Sequence, residues 1–160
     1  MPVQTSATIE AAANIRDVFD GASSIEPNIL IRPYGVLPGI AATDNDAPWT
    51  AVGQVRNHTL TDKSAVREEL VSFADGENFG YEIGGFSGLF GALAAGARGD
   101  WHFTSLSAER TRIDWTYQFF PRSVLAEPFL WFIVKLAWPG YLKAALTRVK
   151  EKAEHENRDL

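Results

Sequence analysis

Apolar and polar side chains alternate most regularly over residues 110–120. The apolar positions of this alternation are Ile113, Trp115, Tyr117 and Phe119. Strict alternation predicts a β-strand with one face toward an apolar interior and the other toward water. Because three of the four inward side chains are aromatic, the sheet is expected to curl around a helix, a ligand or both.

Weaker patterns predict further strands on either side of short turns. These strands cover residues 3–10, 50–61, 65–73, 79–84 and 98–106. Turn-forming residues separate them at Asp62-Lys63, at 74–76 and at 107–109. The chain therefore predicts one N-terminal strand and a later run of antiparallel strands that ends at Pro121.

A short helix is predicted between the first strand and the proline-rich region. Asn14 is a suitable N-cap, Asp17 falls in the first turn and Gly21 is expected to end the helix. Residues 21–49 carry four prolines, which interrupt regular structure. Within them, residues 29–31 are expected to form a brief strand or helical turn.

The C-terminal part of the chain predicts a long amphipathic helix that starts near Ser123. Its apolar positions at helical spacing are Phe129, Phe132, Ile133, Leu136, Leu142, Ala145, Leu146 and Val149. We expect one buried stripe, a kink or split at Pro139-Gly140, and a frayed charged tail over 151–160. Charged residues and prolines interrupt residues 124–142, so no membrane-spanning segment is predicted.

The bulk composition predicts a single domain over residues 1–160. That length buries roughly 70% of the unfolded surface on folding. Hydrophobic residues make up 46% and charged residues 22%, as in ordinary globular proteins. The net charge of −5 argues against nucleic-acid binding. Without cysteines or a signal-peptide pattern, the chain is expected in the cytoplasm.

Several common chemistries find no support in the sequence. The glycine-rich residues 84–99 lack the Gly-Lys-Ser/Thr ending of a phosphate loop. The three histidines occur singly, so no metal and no cofactor is predicted. No Gly-x-Ser-x-Gly motif is present for a serine hydrolase. The 84–99 segment instead predicts a flexible connection, whose apolar residues would close a cavity mouth, dock a partner or make transient membrane contact.

Two charged residues fall within predicted strands. Arg56 and Glu68 lie on adjacent strands, and Glu68 has apolar neighbours on its own face. A buried pair of this kind is tolerated where the charges meet. They form a structural ion pair, an outward surface pair, or a polar anchor inside an apolar pocket, and the spacing leaves these readings open.

The order of several short motifs resembles the START-like, or SRPBCC, superfamily, with the polyketide cyclase/dehydrase and lipid-transport group as its nearest branch. The motifs are Gly53-x-x-Arg56, Asp62, Glu68-x-Leu70, Tyr81-x-Ile83 and the run from Thr111 to Phe119. The resemblance implies an α+β helix-grip fold, in which a curved antiparallel sheet wraps around a long C-terminal helix. It also implies that Arg56, Glu68, Tyr81 and Trp115 face a deep cavity.

The function that this resemblance implies is binding of a hydrophobic or amphipathic small molecule, such as a lipid, a polyketide-like compound or an isoprenoid. Arg56, Glu68 and Tyr81 would orient its polar end. The expected apolar wall comprises Ile83, Trp115, Tyr117, Phe119, Phe132, Ile133 and Leu136. One alternative is a cyclase/dehydratase-type enzyme that uses the same cavity, in which Glu68, with Arg56 or Tyr81, would move protons, although the motifs assign no catalytic residue. Another is an interaction or stress protein with a filled core.

Overall fold

The fold consists of one seven-stranded antiparallel sheet and helices that pack against it. The computed structural model describes residues 1–159. Its elements are β1 (Val3–Ala11), α1 (Ile15–Ser24), α2 (Pro27–Leu30), β2 (Ile40–Thr43), β3 (Val55–Leu60), β4 (Ala65–Ala74), β5 (Asn78–Gly84), α3 (Gly88–Leu93), β6 (Ala94–Ser107), β7 (Arg110–Pro121), α4 (Glu127–Leu136) and α5 (Trp138–Arg158). The strand order is β1-β7-β6-β5-β4-β3-β2, and α5 contacts β1 and α1.

The alternation over β7 is confirmed, and it supplies the centre of the core. Ile113, Trp115, Tyr117 and Phe119 are all buried. β7 pairs with β1 on one side and with β6 on the other. Trp101 of β6 lies directly opposite Trp115, with ring centroids 4.2 Å apart. Aromatic side chains from neighbouring strands therefore form one continuous inner surface.

Two strands begin at different residues from those predicted. β3 starts at Val55, because Gln54 turns its side chain back to accept hydrogen bonds from the backbone of Thr50 and Ala51. β6 starts at Ala94, inside the glycine- and alanine-rich segment. Small residues suit that strand because a Cβ at Gly99 would lie 2.5 Å from the Tyr81 ring. The connection predicted over 84–99 is therefore shorter, because it ends where β6 begins, and it contains the short helix α3.

The N-terminal helix begins as predicted and ends later. The side chain of Asn14 accepts a hydrogen bond of 2.9 Å from the backbone N–H of Asp17, which caps the first turn. α1 then continues through Gly21 to Ser24, so Gly21 is not the stop. A Cβ at Gly21 would lie 3.9 Å from that of Ala153, so the glycine marks where α1 approaches α5 closely.

The C-terminal helix is split, close to the predicted position. α4 and α5 meet at 41° around Ala137, and Pro139 occupies the first turn of α5, where its missing N–H breaks no helical hydrogen bond. The predicted fraying of 151–160 is wrong as far as Arg158, since α5 continues to that residue and Ala153 is fully buried. Leu160 lies outside the described residues.

α4 buries a different stripe from the one that the spacing predicted. Leu130 and Val134 are fully buried, whereas Phe129, Phe132 and Leu136 are 67%, 61% and 71% exposed. The helix is apolar on nearly every side, so periodicity alone did not identify its inner face. Within residues 1–159, no single helix is long and apolar enough to span a membrane, and only the bent pair α4 and α5 together satisfies those criteria.

The buried end of α5 gives a direct test of its packing. We expect Ala153→Gln to lower the free energy of unfolding by about 1–3 kcal/mol, because the larger polar side chain has no space beside Gly21. Glu156→Gln, on the exposed side of the same helix, is the matched control and should change stability by less than about 0.5 kcal/mol. Equal urea midpoints for both variants would show that this end of α5 is not packed.

Candidate functional site

A cavity of about 110 Å³ lies between the inner face of the sheet and helices α1, α2 and α5. A second void of about 320 Å³ adjoins it and is bordered by the exposed side chains Val36 and Leu89. The two voids share lining residues, namely Leu60, Val66, Phe86, Trp138 and Tyr141. We call the first the inner chamber and the second the outer chamber. The interior is therefore not filled by its own side chains.

Most of the predicted site residues lie around the inner chamber. Its wall includes Arg56, Glu68, Tyr81, Ile83, Trp115, Tyr117 and Phe119. Ile133 lines the outer chamber instead. Phe132 and Leu136 were expected in the same wall, but they lie on the outer side of α4. Their placement is a correction that follows from the shifted stripe of that helix.

The hydroxyl of Tyr81 is the centre of a hydrogen-bonded aromatic wall. The indole N–H groups of Trp101 and Trp115 donate to it over 3.2 and 3.1 Å. Because these bonds occupy both of its lone pairs, Tyr81 donates its own proton to the hydroxyl of Tyr117, 3.3 Å away. Tyr81 thus has no hydrogen bond left for a ligand, and Tyr117 carries the free proton at the end of this chain.

Burial keeps these phenols protonated. It raises the pKa of Tyr81 far above its usual range, and the nearby negative charge of Glu68 adds to that rise. Burial likewise raises the pKa of Tyr117, which the neighbouring Tyr81 and Glu68 reinforce. Burial also raises the pKa of Tyr141, which lines both chambers. The aromatic wall is therefore neutral over the physiological pH range.

Arg56 enters the inner chamber from β3. Its guanidinium carbon lies 3.7 Å from the ring centroid of Trp49, and its Nη2 donates a 2.7 Å hydrogen bond to the carbonyl of Ala47. Only 5% of Arg56 is exposed, and burial lowers its pKa, while the charge of Glu68 acts in the opposite direction. The side chain is thus held in place by stacking and by one carbonyl.

The predicted contact between Arg56 and Glu68 does not form, although both side chains face inward. The two residues are direct partners in the β3–β4 register. Over residues 1–159, however, Arg56 makes no ion pair within 4.0 Å, and Glu68 instead contacts Nε2 of His58 at 3.2 Å. Neither a simple ion pair nor an outward surface pair describes them.

His58 is a site residue that the sequence analysis missed. It is 3% exposed, it lines the inner chamber, and its Nδ1 lies 2.8 Å from the hydroxyl of Thr43 on β2. The signal was its position two residues after Arg56, which puts both side chains on one face of β3. Thr43, His58 and Glu68 form a hydrogen-bonded row. Residues 1–159 contain no cluster of three or more His, Cys, Asp or Glu that could hold a metal.

Two buried nitrogen atoms in this region lack a hydrogen-bond partner. They are Nε of Arg56 and Nε1 of Trp138, and in the described part of the chain no other buried side-chain nitrogen or oxygen is left unpaired. Both residues line the inner chamber. Both atoms are donors, and an unpaired buried donor costs about 1–3 kcal/mol. Two residues of the chamber wall therefore each carry an unsatisfied buried N–H group.

The sequence matches a known protein family, and the fold matches solved structures. Residues 2–154 match the family described as polyketide cyclase / dehydrase and lipid transport. None of the curated proteins matches the chain in sequence.

Three solved structures illustrate the similarity of the fold. A point mutant of norcoclaurine synthase from Thalictrum flavum has a TM-score of 0.70 at 12% identity, with 98% of each chain covered. The Zhui aromatase/cyclase from a Streptomyces species has a TM-score of 0.66 at 17% identity, covering 96% of this chain and 94% of its own. The protein XoxI from Bacillus cereus has a TM-score of 0.65 at 16% identity, covering 93% and 94%. The helix-grip, START-like fold is thereby confirmed.

The buried phenols predict a specific alkaline titration. A free tyrosine has a pKa of about 10. Of the four tyrosines, Tyr81, Tyr117 and Tyr141 should stay protonated at about pH 11 while the protein is folded. We expect phenolate absorbance to show at most one ionised tyrosine per chain there, and none in Tyr34→Phe.

The same shifts set the sign of the pH dependence of stability. The unfolded chain releases these protons above about pH 10, whereas the folded chain keeps them. Their contribution to stability is thus complete below that pH and is lost as the pH rises through the raised pKa values. Two or more phenolates with an unchanged near-ultraviolet circular dichroism spectrum would contradict the aromatic wall described here.

Proposed function

This chain belongs to the polyketide cyclase / dehydrase and lipid transport family, and from that membership we propose that its cavity binds an apolar small molecule that carries a hydrogen-bond acceptor. The ligand classes that fit are lipids, polyketide-like compounds and isoprenoids. The observation that carries the proposal is the pair of unpaired donors, Nε of Arg56 and Nε1 of Trp138, in the wall of one chamber.

The shape of the cavity favours a ligand with a compact head and a longer apolar body. An engineered apolar cavity of about 150 Å³ binds benzene, so the inner chamber, at about 110 Å³, suits a head of about one ring. The outer chamber, at about 320 Å³, falls within the range of ligand sites. Burial of the apolar body against Phe86, Phe90 and Trp138 supplies about 25 cal/mol for each Å² removed from water.

The chemistry of the polar atoms favours an oxygen on the head of the ligand. Arg56 is positively charged, so a carboxylate, enolate or ketone oxygen would accept a charge-assisted hydrogen bond from its Nε. Trp138 donates only, and the free proton of Tyr117 is a third donor in the same wall. Glu68 is already engaged by His58 and therefore tunes the charge of the chamber more than it contacts the ligand.

A second candidate function is proton transfer on a bound, polyketide-like ketone. The row of Thr43, His58 and Glu68 supports it, because a carboxylate backed by a histidine inside an apolar chamber has the groups of a general base. Glu68→Gln separates the two functions. If the protein is an enzyme, this variant should lose turnover and keep its affinity for the ligand. If the protein only binds its ligand, the variant should differ in affinity alone.

Binding of matched aromatic probes tests the proposed role of the two donors. We expect 2-naphthoate, which has an acceptor group, to bind more tightly than naphthalene, which has none. Arg56→Met should weaken 2-naphthoate about tenfold or more, because a hydrogen bond to a charged group contributes about 1.5–3 kcal/mol. Trp138→Phe keeps an aromatic ring and removes the N–H donor, so it should weaken the binding of 2-naphthoate about fivefold.

The controls for this experiment are within the same protein. Arg67→Met removes an exposed arginine from β4 and should leave both affinities unchanged. Binding of naphthalene should change little in all three variants. If Arg56→Met and Trp138→Phe fold normally and bind 2-naphthoate like the original protein, the two donors do not hold the ligand.

A further inference from the structure

The outer side of α4 and the turn before it form a large exposed apolar surface. Its members are 47–85% exposed. They are Val124, Leu125, Phe129, Trp131, Phe132 and Leu136. We call this surface the α4 face. Folding does not require it, because Leu130 and Val134 already attach α4 to the core. Soluble monomers rarely keep a contiguous apolar surface of this kind without a use for it.

The helix that carries the α4 face also borders the outer chamber. Ile133, on the edge of α4, lines the outer chamber together with Leu89 of α3 and Val36 of the opposite loop. Leu89 is 80% exposed and Val36 is 91% exposed. A surface that covered the α4 face would therefore lie beside the outer chamber and its exposed border residues.

The charge around the α4 face has the opposite sign to that of the whole chain. The chain carries a net charge of −5. Residues 120–143, which include α4, contain the bases Arg122, Lys135 and Lys143 and the single acid Glu127. Residues 86–97, which include α3, contain no charged side chain. The segment that contains α4 thus carries three bases and one acid, a net charge of +2, which is opposite in sign to the net charge of the chain.

We propose that the α4 face docks this protein onto the surface of a lipid bilayer that contains anionic phospholipids, with the cavity mouth turned toward the lipid. Phe, Trp and Leu flanked by Lys and Arg are typical of helices that lie in the membrane interface. Anionic headgroups attract the bases near the membrane surface. A helix of ten residues, about 15 Å long, lies in the interface and does not cross it.

The charges favour a bilayer over a second copy of the chain. A symmetric dimer of two α4 faces would bring together two segments of the same net positive charge, which disfavours association. An anionic lipid surface has the complementary charge and also solvates the aromatic side chains. Docking of this kind does not depend on whether the cavity binds a ligand.

Vesicle co-sedimentation tests the docking. The protein should bind vesicles of equal parts phosphatidylcholine and phosphatidylglycerol, and bind pure phosphatidylcholine more weakly. The double variant Phe129→Gln with Phe132→Gln should lose about tenfold or more of this partitioning, since it removes two apolar rings from the contact with lipid. Lys135→Gln with Lys143→Gln should reduce binding to the anionic vesicles selectively.

Matched controls separate docking from folding and from ligand binding. Val52→Gln with Leu106→Gln removes two exposed apolar side chains remote in sequence from α4, and should leave vesicle binding unchanged. The Phe129→Gln, Phe132→Gln variant should keep its melting temperature and its affinity for 2-naphthoate. Equal vesicle binding by this variant and the original protein would overturn the proposal. So would the absence of vesicle binding, or a dimer in sedimentation equilibrium that this variant dissociates.

Discussion

Three hydrogen bonds converge on the hydroxyl of Tyr81, and the shape of the cavity depends on them. Two tryptophans donate to this oxygen, and Tyr81 donates to Tyr117. Because each ring is fixed at its polar edge as well as by packing, the wall keeps its form beside an open chamber. Gly99 is part of the same arrangement, since a side chain there would occupy the space of the Tyr81 ring. The rigid wall lies on β5, β6 and β7, at the centre of the sheet.

The polar groups lie on the other side of the chamber, on β3 and β4. Arg56 is stacked on Trp49 and bound to one carbonyl, while His58 holds Glu68. The Nε of Arg56 and the Nε1 of Trp138, at the start of α5, lack hydrogen-bond partners. Both unpaired donors therefore lower the stability of the fold. Natural proteins tolerate such local costs mainly at functional sites. The two unpaired donors in the chamber wall are the basis of the proposed function.

Sequence reasoning predicted the parts of the fold that a local pattern determines. The alternation in β7, the Asn14 cap and the placement of Arg56 and Glu68 on adjacent strands each follow from short-range spacing, and each is confirmed. The contact expected between those two charges does not form. α4 was misread because it is apolar on both sides, so its inner face depends on the bend at Ala137. His58 was missed because its partners, Thr43 and Glu68, come from other strands. Gly21 does not end α1, and its neighbour Ala153 comes from a distant part of the chain that local spacing does not reveal.

The most direct test of the central claim follows the two donors themselves by nuclear magnetic resonance. The Nε–H of Arg56 and the Nε1–H of Trp138 give separate signals in a ¹H–¹⁵N correlation spectrum. We expect both protons to shift downfield when 2-naphthoate is added, because each gains an acceptor, and to shift little with naphthalene. If 2-naphthoate binds while both signals stay unchanged, the cavity does not hold its ligand through these donors.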